Sequence, residues 1–463
     1  MVQDIQPQNR KRRRKLKSQI RRAKLKIVYR SLSDLKPSPL NARKHSEKQI
    51  SILARAIEEF GFTSPILIDC NGEIIAGHGR LEAASRCGLD SVPTVLIEHL
   101  SPAQIRALRL ADNRLAELSE WDDERLRIEL TDLSVLELED ALEFDLDVIG
   151  FETPELDIIL RDQSTAEEDR EDVELPDPMQ HAVTRLGDHW VLGRHSIICG
   201  SALSADTVAL ITEGPVRMIF TDPPYNVPIH GHVRGQGGHR EFAMASGEMS
   251  EADFRDFLSK FIDASTQFLM PGGIAMICMD WRHIEDLIAV GRAADLELIN
   301  LCVWNKTNGG MGSLYRSKHE LVAVFRKPGA VHVNNVELGR HGRYRTNVWD
   351  YAGVNTFRAG READLADHPT IKPTAMIADA IRDVSHRGDL ILDPFGGSGS
   401  ALLAAERTGR KARLVEIDPH YVDLTIRRWQ EMTGQRAHLQ ATGQSFEQVS
   451  EARDADGEEA DHA

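Results

Sequence analysis

The stretch that decides the fold is LILDPFGGSGSALLAA, residues 390–405, in which a short apolar run leads through a glycine-rich loop into a helix. Three glycines within four positions let the backbone approach a ligand closely where the helix begins. Glu416 ends the next apolar run, where a carboxylate meets ribose hydroxyls in nucleotide-binding folds. No Gly-Lys-Ser/Thr follows, which excludes a P-loop, and Leu402 replaces the third glycine of a dinucleotide fingerprint. We therefore expect an adenosine-containing cofactor other than NAD.

A second apolar run, residues 216–220, ends in the loop TDPPYN, residues 221–226. Two consecutive prolines fix φ and remove two N–H donors, so the loop is rigid and presents acceptors beside the Asp222 carboxylate. The exocyclic amino group of a nucleobase supplies matching donors, and the Tyr225 ring is suited to stack on the base. The alternative is a rigid loop with a capping Asp and a packed Tyr. The predicted site residues are Asp222, Pro223, Pro224 and Tyr225.

Strand-like apolar runs alternate with helical stretches from Val183 onward. This alternation predicts an α/β domain with a mostly parallel sheet. Ligands of such domains bind at the carboxyl ends of the strands. Both unusual loops follow strands, so we expect them at the ligand-binding edge.

Composition divides the chain into folded and unfolded parts. Residues 161–180 hold eight acids and few large apolar side chains, which predicts an acidic linker. Residues 1–30 are predicted to be a basic disordered arm and residues 441–463 an acidic disordered tail. Two folded domains remain, at residues 31–160 and 181–440.

Composition also excludes several classes of protein. The 463 residues are 41% apolar and 28% charged, and no stretch approaches the ~18 consecutive apolar residues of a membrane span. The polar start lacks the features of a secretion signal, so we expect a cytoplasmic protein with no membrane partner. The five cysteines form no CxxC pair, which excludes a zinc ribbon, and we assign no metal.

The basic arm points to nucleic acid. Residues 1–30 hold 12 Lys or Arg and one acid, whereas the whole chain has a net charge of −16. Clustered basic residues neutralise phosphates and give salt-dependent affinity for DNA. A solvated tail without a partner is the alternative.

Three features mark the first folded domain. Ser46 with Gln49 is a capping-box pattern before a helical apolar stripe that stops at Gly61. Two short β-type runs flank Asn71-Gly72, which predicts a hairpin. Next comes a turn in which glycine N–H groups and an arginine can bind a phosphate, although a simple turn is the alternative. These possible phosphate-binding residues are Gly77, His78, Gly79 and Arg80.

With these features, residues 27–118 resemble the ParB N-terminal (ParB/sulfiredoxin-like) domain, which implies a small α+β binding module. The match includes residues 32–39, the hairpin, the glycine turn, Val92-Pro93 and residues 110–113. In that family the turn usually reads Gly-Glu-Arg-Arg and contacts nucleotide phosphates near bound DNA. Here His78 and Gly79 replace Glu and the first Arg, so we carry over nucleotide binding as a possibility and not hydrolysis.

Residues 183–433 resemble an amino-group DNA methyltransferase of the permuted, β-type order. Asp222 to Tyr225 matches the DPPY catalytic motif, residues 393–399 match the S-adenosylmethionine (SAM) loop, and residues 368–373 match the motif beside the cofactor's methionine end. The resemblance implies a Rossmann-like sheet with SAM as cofactor. The implied cofactor-binding residues are Asp393, Pro394, Phe395, Gly396, Gly397, Gly399, Glu416, Thr370 and Lys372.

The resemblance implies methyl transfer from SAM to the exocyclic N6 of adenine in a base flipped out of double-stranded DNA. Asp rather than Ser at position 222 favours adenine, and N4 of cytosine is the alternative. A rival of another class is a ParB-like, nucleotide-dependent DNA-binding protein with an inactive methylase half.

Two further groups of residues lie near the predicted site in sequence. Three histidines in a glycine-rich loop raise a metal hypothesis, but a DNA-contacting loop fits their neighbouring arginines better; they are His230, His232 and His239. Four arginines before the SAM-associated motif are interpreted as DNA contacts; they are Arg340, Arg343, Arg345 and Arg358.

Overall fold

The computed structural model describes residues 25–138, 142, 144, 146–160, 181–226, 247–307, 314–336, 338, 344–352 and 371–461. The chain divides into two compact units, Met1–Glu152 and Thr153–Ala463. Each unit has its own sheet and core, and each is described separately below.

The first unit contains a four-stranded sheet with strand order β1-β4-β2-β3. Strands β2 and β3 pair antiparallel on either side of Asn71-Gly72, which confirms the predicted hairpin, while β2 runs parallel to β4. The strands are β1 (Ile27–Ser31), β2 (Ile66–Ile68), β3 (Ile74–Ala76) and β4 (Ser91–Leu96).

Four helices accompany this sheet in the described residues: α1 (Glu47–Phe60), α2 (His78–Arg86), α3 (Pro102–Ala116) and α4 (Asp123–Leu138). Helix α1 begins at Ser46, whose hydroxyl accepts a hydrogen bond of 3.1 Å from the Gln49 N–H, and ends at Gly61 with φ of 75°. These are the cap and the stop that the sequence predicts. Helix α2 begins directly after the turn at Gly77, so the turn joins β3 to a helix start as expected.

The second unit contains, among its described residues, a ten-stranded sheet with the order β11-β9-β10-β8-β7-β12-β13-β6-β5-β14. The five central strands β8, β7, β12, β13 and β6 run parallel to one another, and β10 and β5 pair antiparallel at their two sides, which confirms the mixed α/β class. The strands are β5 (His189–Leu192), β6 (His195–Cys199), β7 (Val216–Thr221), β8 (Leu269–Met279), β9 (Glu297–Asn305), β10 (His319–Arg326), β11 (Val348–Asp350), β12 (Leu390–Asp393), β13 (Lys411–Glu416) and β14 (His438–Leu439).

Helices cover both faces of this sheet, and side chains alternate between the two faces along each strand. Met218 and Phe220 of β7 belong to one buried cluster, whereas Ile219 between them belongs to the other. The helices of this unit are α5 (Thr153–Ile159), α6 (Ala205–Ile211), α7 (Glu251–Thr266), α8 (Ile284–Ala293), α9 (Thr374–Val384), α10 (Ser400–Thr408), α11 (Pro419–Thr433) and α12 (Phe446–Asp461).

Both termini differ from the sequence prediction. The basic arm does not extend to residue 30, because Ile27–Ser31 forms β1 and pairs antiparallel with β4; residues 1–24 lie outside the described residues. The tail is not disordered from residue 441, because it forms α12, whose Phe446 and Val449 are buried. In both places a few apolar residues outweigh the charge of their neighbours.

The boundary predicted at residue 160 also changes, because α5 belongs to the second unit. Asp157 of α5 is buried and accepts two hydrogen bonds, of 2.9 and 3.0 Å, from the Arg410 guanidinium before β13. A buried bidentate pair of this kind fixes the helix to its unit. The predicted linker, residues 161–180, lies outside the described residues. Within the described part of the chain, no helix combines the length and apolar character needed to cross a membrane.

Candidate functional site: a cavity at the carboxyl edge of the sheet

The strands that precede the two unusual loops are neighbours. Strand β12 lies between β7 and β13, and all three run parallel, so their carboxyl ends meet at one edge of the sheet. Asp222 follows β7, Asp393 ends β12 and Glu416 ends β13. The Thr221 hydroxyl donates a hydrogen bond of 2.8 Å to Asp393 Oδ1, which ties the first loop to the second.

One cavity at this edge is shared by both loops. The four predicted catalytic residues line it, and so do residues 393–397 and Glu416. Lys372 also lines it. The structure therefore brings the predicted catalytic residues and most of the predicted cofactor residues together around a single space.

The glycine loop brings backbone close to this cavity. Gly397 has φ of 49°, and its N–H donates a hydrogen bond of 2.7 Å to Glu416 Oε2. A Cβ built on Gly397 would meet no atom nearer than 4.0 Å, so open space lies beside it. Gly399 does not line the cavity; with φ of 82° it caps α10, and a Cβ there would lie 2.6 Å from Thr425 Cγ2. Gly399 therefore serves close packing against α11.

Two buried acids, Glu416 and Asp393, line the cavity beside the glycine loop. Glu416 accepts backbone hydrogen bonds on both oxygens, from Gly397 and at 2.8 Å from Asp418. Burial raises the pKa of Glu416 to about 7, although these N–H groups oppose the shift. Burial likewise raises the pKa of Asp393 above its usual range.

The residues present fit a SAM-type cofactor. Ser400 at the start of α10 lines the cavity, and its buried hydroxyl has no hydrogen-bond partner among the described residues. A buried polar group without a partner is costly, so a ligand that bonds it is favoured. Glycine backbone for close approach, acids for ribose hydroxyls and an apolar wall are the groups that an adenosine ligand requires.

The catalytic loop is held by charged side chains. The Tyr225 hydroxyl donates a hydrogen bond to Asp222 Oδ1, and Lys372 forms an ion pair with Asp222 Oδ2. Only 6% of the Lys372 side chain is exposed, and 24% of that of Asp222. The Lys372 ammonium lies 5.5 Å from the centre of the Tyr225 ring, within cation–π range.

Glu320, the second residue of β10, lies on the other side of Lys372. Its Oε2 is 3.0 Å from Lys372 Nζ and 3.1 Å from the Tyr225 hydroxyl. Its Oε1 forms an ion pair with Lys306, which follows β9. Two carboxylates and two ammonium groups thus alternate from Asp222 to Lys306.

The alternating charges shift the pKa values of Asp222, Glu320 and Lys372. Burial raises the pKa of Asp222, Lys372 opposes the rise and the Glu320 carboxylate adds to it. Burial would raise the pKa of Glu320 too, but the ammonium groups of Lys372 and Lys306 lower it to about 2. Burial would lower the pKa of Lys372, yet the carboxylates of Asp222 and Glu320 raise it above its ordinary value. Lys372 is therefore a cation shared between two carboxylates.

Some predicted residues fall elsewhere. Thr370 lies outside the described residues, as do the three histidines, Arg340, Arg343 and Arg358. Arg345 is described, but it bonds Asp383 at 3.0 Å and the Tyr351 hydroxyl at 2.8 Å inside the unit. These contacts give Arg345 a place inside the unit, and its interpretation as a DNA contact stays a prediction.

Sequence reasoning missed several residues of the site. Asp418 and Tyr421 line the cavity, and Glu320 contacts the catalytic loop. The available signal for Glu320 was a carboxylate within an otherwise apolar run, HELVAVF, where an unpaired charge is costly. Within the described residues, no group of three His, Cys, Asp or Glu side chains could hold a metal ion.

The glycine turn of the first unit lines a separate cavity. Gly77, with φ of 105°, caps α2, and the Arg80 guanidinium folds back towards it. His78 Nε2 accepts a hydrogen bond of 3.1 Å from the Ser38 N–H, and burial, together with Arg109, lowers the pKa of His78. All four predicted phosphate-binding residues line this cavity. Their binding of phosphate stays a prediction.

Comparison with protein families matches three successive parts of the chain. Residues 15–114 match the ParB N-terminal domain, residues 124–186 the ParB-methyltransferase HTH domain, and residues 216–427 the family described as DNA methylase (N6_N4_Mtase). The second match covers α4 and α5 and continues through the predicted linker.

Individual proteins resemble the two ends of the chain. The ParB-like nuclease domain-containing protein YnaK of Escherichia coli (strain K12) is 52% identical over 81 residues, which are 18% of this chain and 93% of YnaK. Type II methyltransferase M.HpaI of Haemophilus parainfluenzae is 24% identical over 247 residues, covering 50% of this chain and 73% of M.HpaI. A solved structure of TTHA0409, a putative DNA modification methylase from Thermus thermophilus complexed with S-adenosyl-L-methionine, aligns with TM-score 0.38 and 22% identity over 54% of this chain and 96% of that protein.

The 52% identity over nearly all of YnaK shows the family of the first unit. The DNA methylase match covers β7, β12 and β13 and both loops that line the cavity of the second unit. The chain belongs to the ParB-like family through its N-terminal domain, and in the same chain it carries a DNA methylase domain of the N6/N4 family.

Proposed function

We propose that this protein transfers a methyl group from SAM to the N6 amino group of adenine in DNA. The observation that carries the proposal is the shared cavity, which is lined both by Asp222 to Tyr225 and by the glycine loop with Glu416. A donor and an acceptor of a methyl group must meet in one space, and holding them in line supplies most of the rate acceleration for such a transfer.

The cofactor end is assigned to backbone and acids. Gly396 and Gly397 let the chain approach the adenosine, Glu416 accepts hydrogen bonds from ribose hydroxyls, and the Ser400 hydroxyl gains a partner. When bound, SAM would supply an activated methyl group on a sulfonium. The lone pair of the amino nitrogen would form the new bond to the methyl carbon, and the electron pair of the broken carbon–sulfur bond would stay on sulfur.

The acceptor end is assigned to the catalytic loop. Asp222 and the Pro223 carbonyl accept the two amino hydrogens, which directs the nitrogen lone pair away from the loop. The Tyr225 ring stacks on the base, which must leave the duplex because its amino group is otherwise enclosed in the stack. One amino proton leaves to Asp222 or to water after transfer.

Adenine is preferred to cytosine through Asp222. In the family that this domain resembles, Asp before the two prolines is typical of enzymes that methylate adenine. Ser at that position is typical of enzymes that methylate cytosine. Both bases offer an amino group to the same acceptors, so N4-methylcytosine is the product of the second candidate function.

Double-stranded DNA is the proposed partner of the whole chain. We propose that the protein acts in the cytoplasm, in association with DNA. The match of residues 124–186 to an HTH domain and the 12 basic residues before residue 31 both favour this partner. A nucleotide at the glycine turn of the first unit is a second proposed partner, since that turn offers backbone N–H groups and Arg80 around a cavity.

The test is an assay of the full-length protein with duplex DNA and isotope-labelled SAM, followed by mass spectrometry of the digested nucleosides. We expect label in N6-methyl-2′-deoxyadenosine and none in the other nucleosides. Label only in N4-methyl-2′-deoxycytidine would support the second candidate, and label in neither would overturn methyl transfer to DNA. A mock reaction without SAM gives the background.

A further inference from the structure

Both oxygens of the catalytic carboxylate already have a partner within the protein. Asp222 Oδ1 receives the Tyr225 hydroxyl and Oδ2 receives Lys372. The two oxygens offer about four acceptor sites, so a base amino group that donates to Asp222 competes with these partners for the carboxylate. Lys372 is the harder of the two to displace, because it is a buried cation that also bonds Glu320.

The Tyr225 hydroxyl is the easier partner to displace, because a second acceptor lies within its reach. Its oxygen is 3.1 Å from Glu320 Oε2 as well as in hydrogen-bond contact with Asp222. A hydroxyl carries one hydrogen, so it donates to one carboxylate at a time. Glu320 can accept this hydrogen bond without a large movement of the tyrosine.

We propose that Glu320 and Lys372 are positioning residues for Asp222: Lys372 aims the carboxylate, and Glu320 anchors Lys372 and accepts the Tyr225 hydroxyl when a base amino group takes its place. This inference rests on the proposed function and adds two residues to it. It also assigns Lys372 to the catalytic loop and not to the cofactor.

The surroundings of the pair support this role. Lys306 forms an ion pair with Glu320 and lies 4.6 Å from the centre of the Trp304 ring, so Glu320 is itself held in place. Lys372 lies above both the Tyr225 and the Trp304 rings, at 5.5 and 5.7 Å from their centres. A cation fixed by two carboxylates and two aromatic faces has little freedom to move.

The charge of Asp222 depends on the same contacts. The titratable groups that face it are Lys372, Glu320, Tyr225, Cys278 and Asp393. Transfer needs the carboxylate form, so activity falls as pH drops through the pKa of Asp222. Loss of Lys372 removes an attraction that lowers this pKa, and loss of the Glu320 charge removes a repulsion that raises it.

The first experiment compares Lys372→Met with Lys372→Arg. We expect Lys372→Met to lower the single-turnover rate of methyl transfer about 100-fold, the cost of a misplacement of about 1 Å. The acid limb of its pH–rate profile should move to higher pH, and Lys372→Arg should return the limb towards the wild-type position. Affinity for SAM, measured by calorimetry without DNA, should stay within about threefold.

The second experiment compares Glu320→Gln with Glu297→Gln. Glu297 pairs with Arg326 at 3.0 Å at the other end of the same two strands, so it is a matched control that should leave the rate unchanged. Glu320→Gln should lower the rate about tenfold, through the weakened anchor of Lys372, and move the acid limb to lower pH. Thermal unfolding of all four variants checks that each is folded.

The results separate this inference from the proposed function. A wild-type protein that transfers no methyl group contradicts the function, while the SAM affinity of Lys372→Met still tests where Lys372 acts. A loss of SAM affinity equal to the loss of rate would make Lys372 a cofactor ligand and overturn the inference. Acid limbs that do not move in either variant would reduce both residues to structural roles and overturn it as well.

Discussion

The two glycine turns of this protein use the same backbone device with opposite charges around it. Gly77 joins β3 to α2 and Gly399 joins the loop after β12 to α10, and both cap their helix with positive φ and without a side-chain hydrogen bond. Arg43, His45 and Arg80 line the cavity of the first turn, together with the acid Asp112, so basic groups predominate there.

Asp393, Glu416 and Asp418 line the cavity beside the second turn, and Lys372 is a cation among its lining residues, so acids predominate there. Exposed backbone N–H groups alone favour an anion, and nearby basic side chains strengthen that preference. Carboxylates reverse it and favour hydroxyl donors and a positive charge, such as a ribose and a sulfonium. The charges around a glycine turn, more than its glycines, therefore select the ligand.

The largest expected effect on ligand affinity comes from a side chain added to the second turn. Gly397→Val places a branched side chain in the open space beside the cavity, and we expect the affinity for SAM to fall at least about 100-fold. Gly77→Val is the matched control, because it imposes the same substitution at positive φ in the other unit. Calorimetry on both variants is the measurement. Retained binding by Gly397→Val would show that the loop is misassigned.

A smaller effect is expected when the first turn loses its charge. Arg80→Ala should weaken binding of a nucleoside triphosphate about 30-fold, since a hydrogen bond to a charged group contributes roughly 2 kcal/mol. SAM affinity should not change. Arg86→Ala, on the same helix but paired with Glu47 and Glu82, is the control. Equal weakening by both variants would place the nucleotide away from the turn.

The acids of the second turn predict a pH dependence. The pKa of Glu416 is raised to about 7, so this carboxyl becomes protonated near neutrality and then loses acceptors for the ribose. We expect SAM affinity to fall roughly tenfold between about pH 8 and about pH 6, and Glu416→Gln to remove this dependence.

Unfolding through protonation of Glu416 does not explain this fall in SAM affinity at lower pH. A carboxyl whose pKa is higher in the folded than in the unfolded state stabilises the fold as pH falls from about 7 towards its unfolded value. The effect of Glu416 on stability therefore has the opposite sign to its effect on affinity. A flat affinity profile in the wild type would contradict the assignment of Glu416 to the ribose.

Local chemistry explains why the sequence predicts both loops and much of the fold. Consecutive prolines at Pro223 and Pro224 fix the backbone wherever they occur, and glycines at positive φ mark turns in any context. Ser46 and Gly61 define the ends of α1 for the same local reason. Such signals are read within a few residues.

Contacts between distant residues could not be predicted in this way. Glu320 meets Lys372 only because β10 enters the sheet beside β8, and Arg345 meets Asp383 of α9 only after folding. The high average charge of the two terminal segments also led to a prediction of disorder where β1 and α12 form. In both elements a few apolar residues pack against or pair with residues elsewhere in their unit. A single sequence carries no record of those partners.

The central claim is that one cavity joins a cofactor end and an acceptor end with separate residues. Its most direct test is Asp222→Ala, measured for methyl transfer to duplex DNA and for SAM affinity in the same preparation. We predict a loss of transfer of at least about 1000-fold with SAM affinity within a few-fold of wild type, because Asp222 faces the acceptor. Asp222→Asn, which keeps one acceptor oxygen, should retain part of the activity. Equal loss of transfer and of SAM affinity in Asp222→Ala, or transfer at the wild-type rate, would contradict the account.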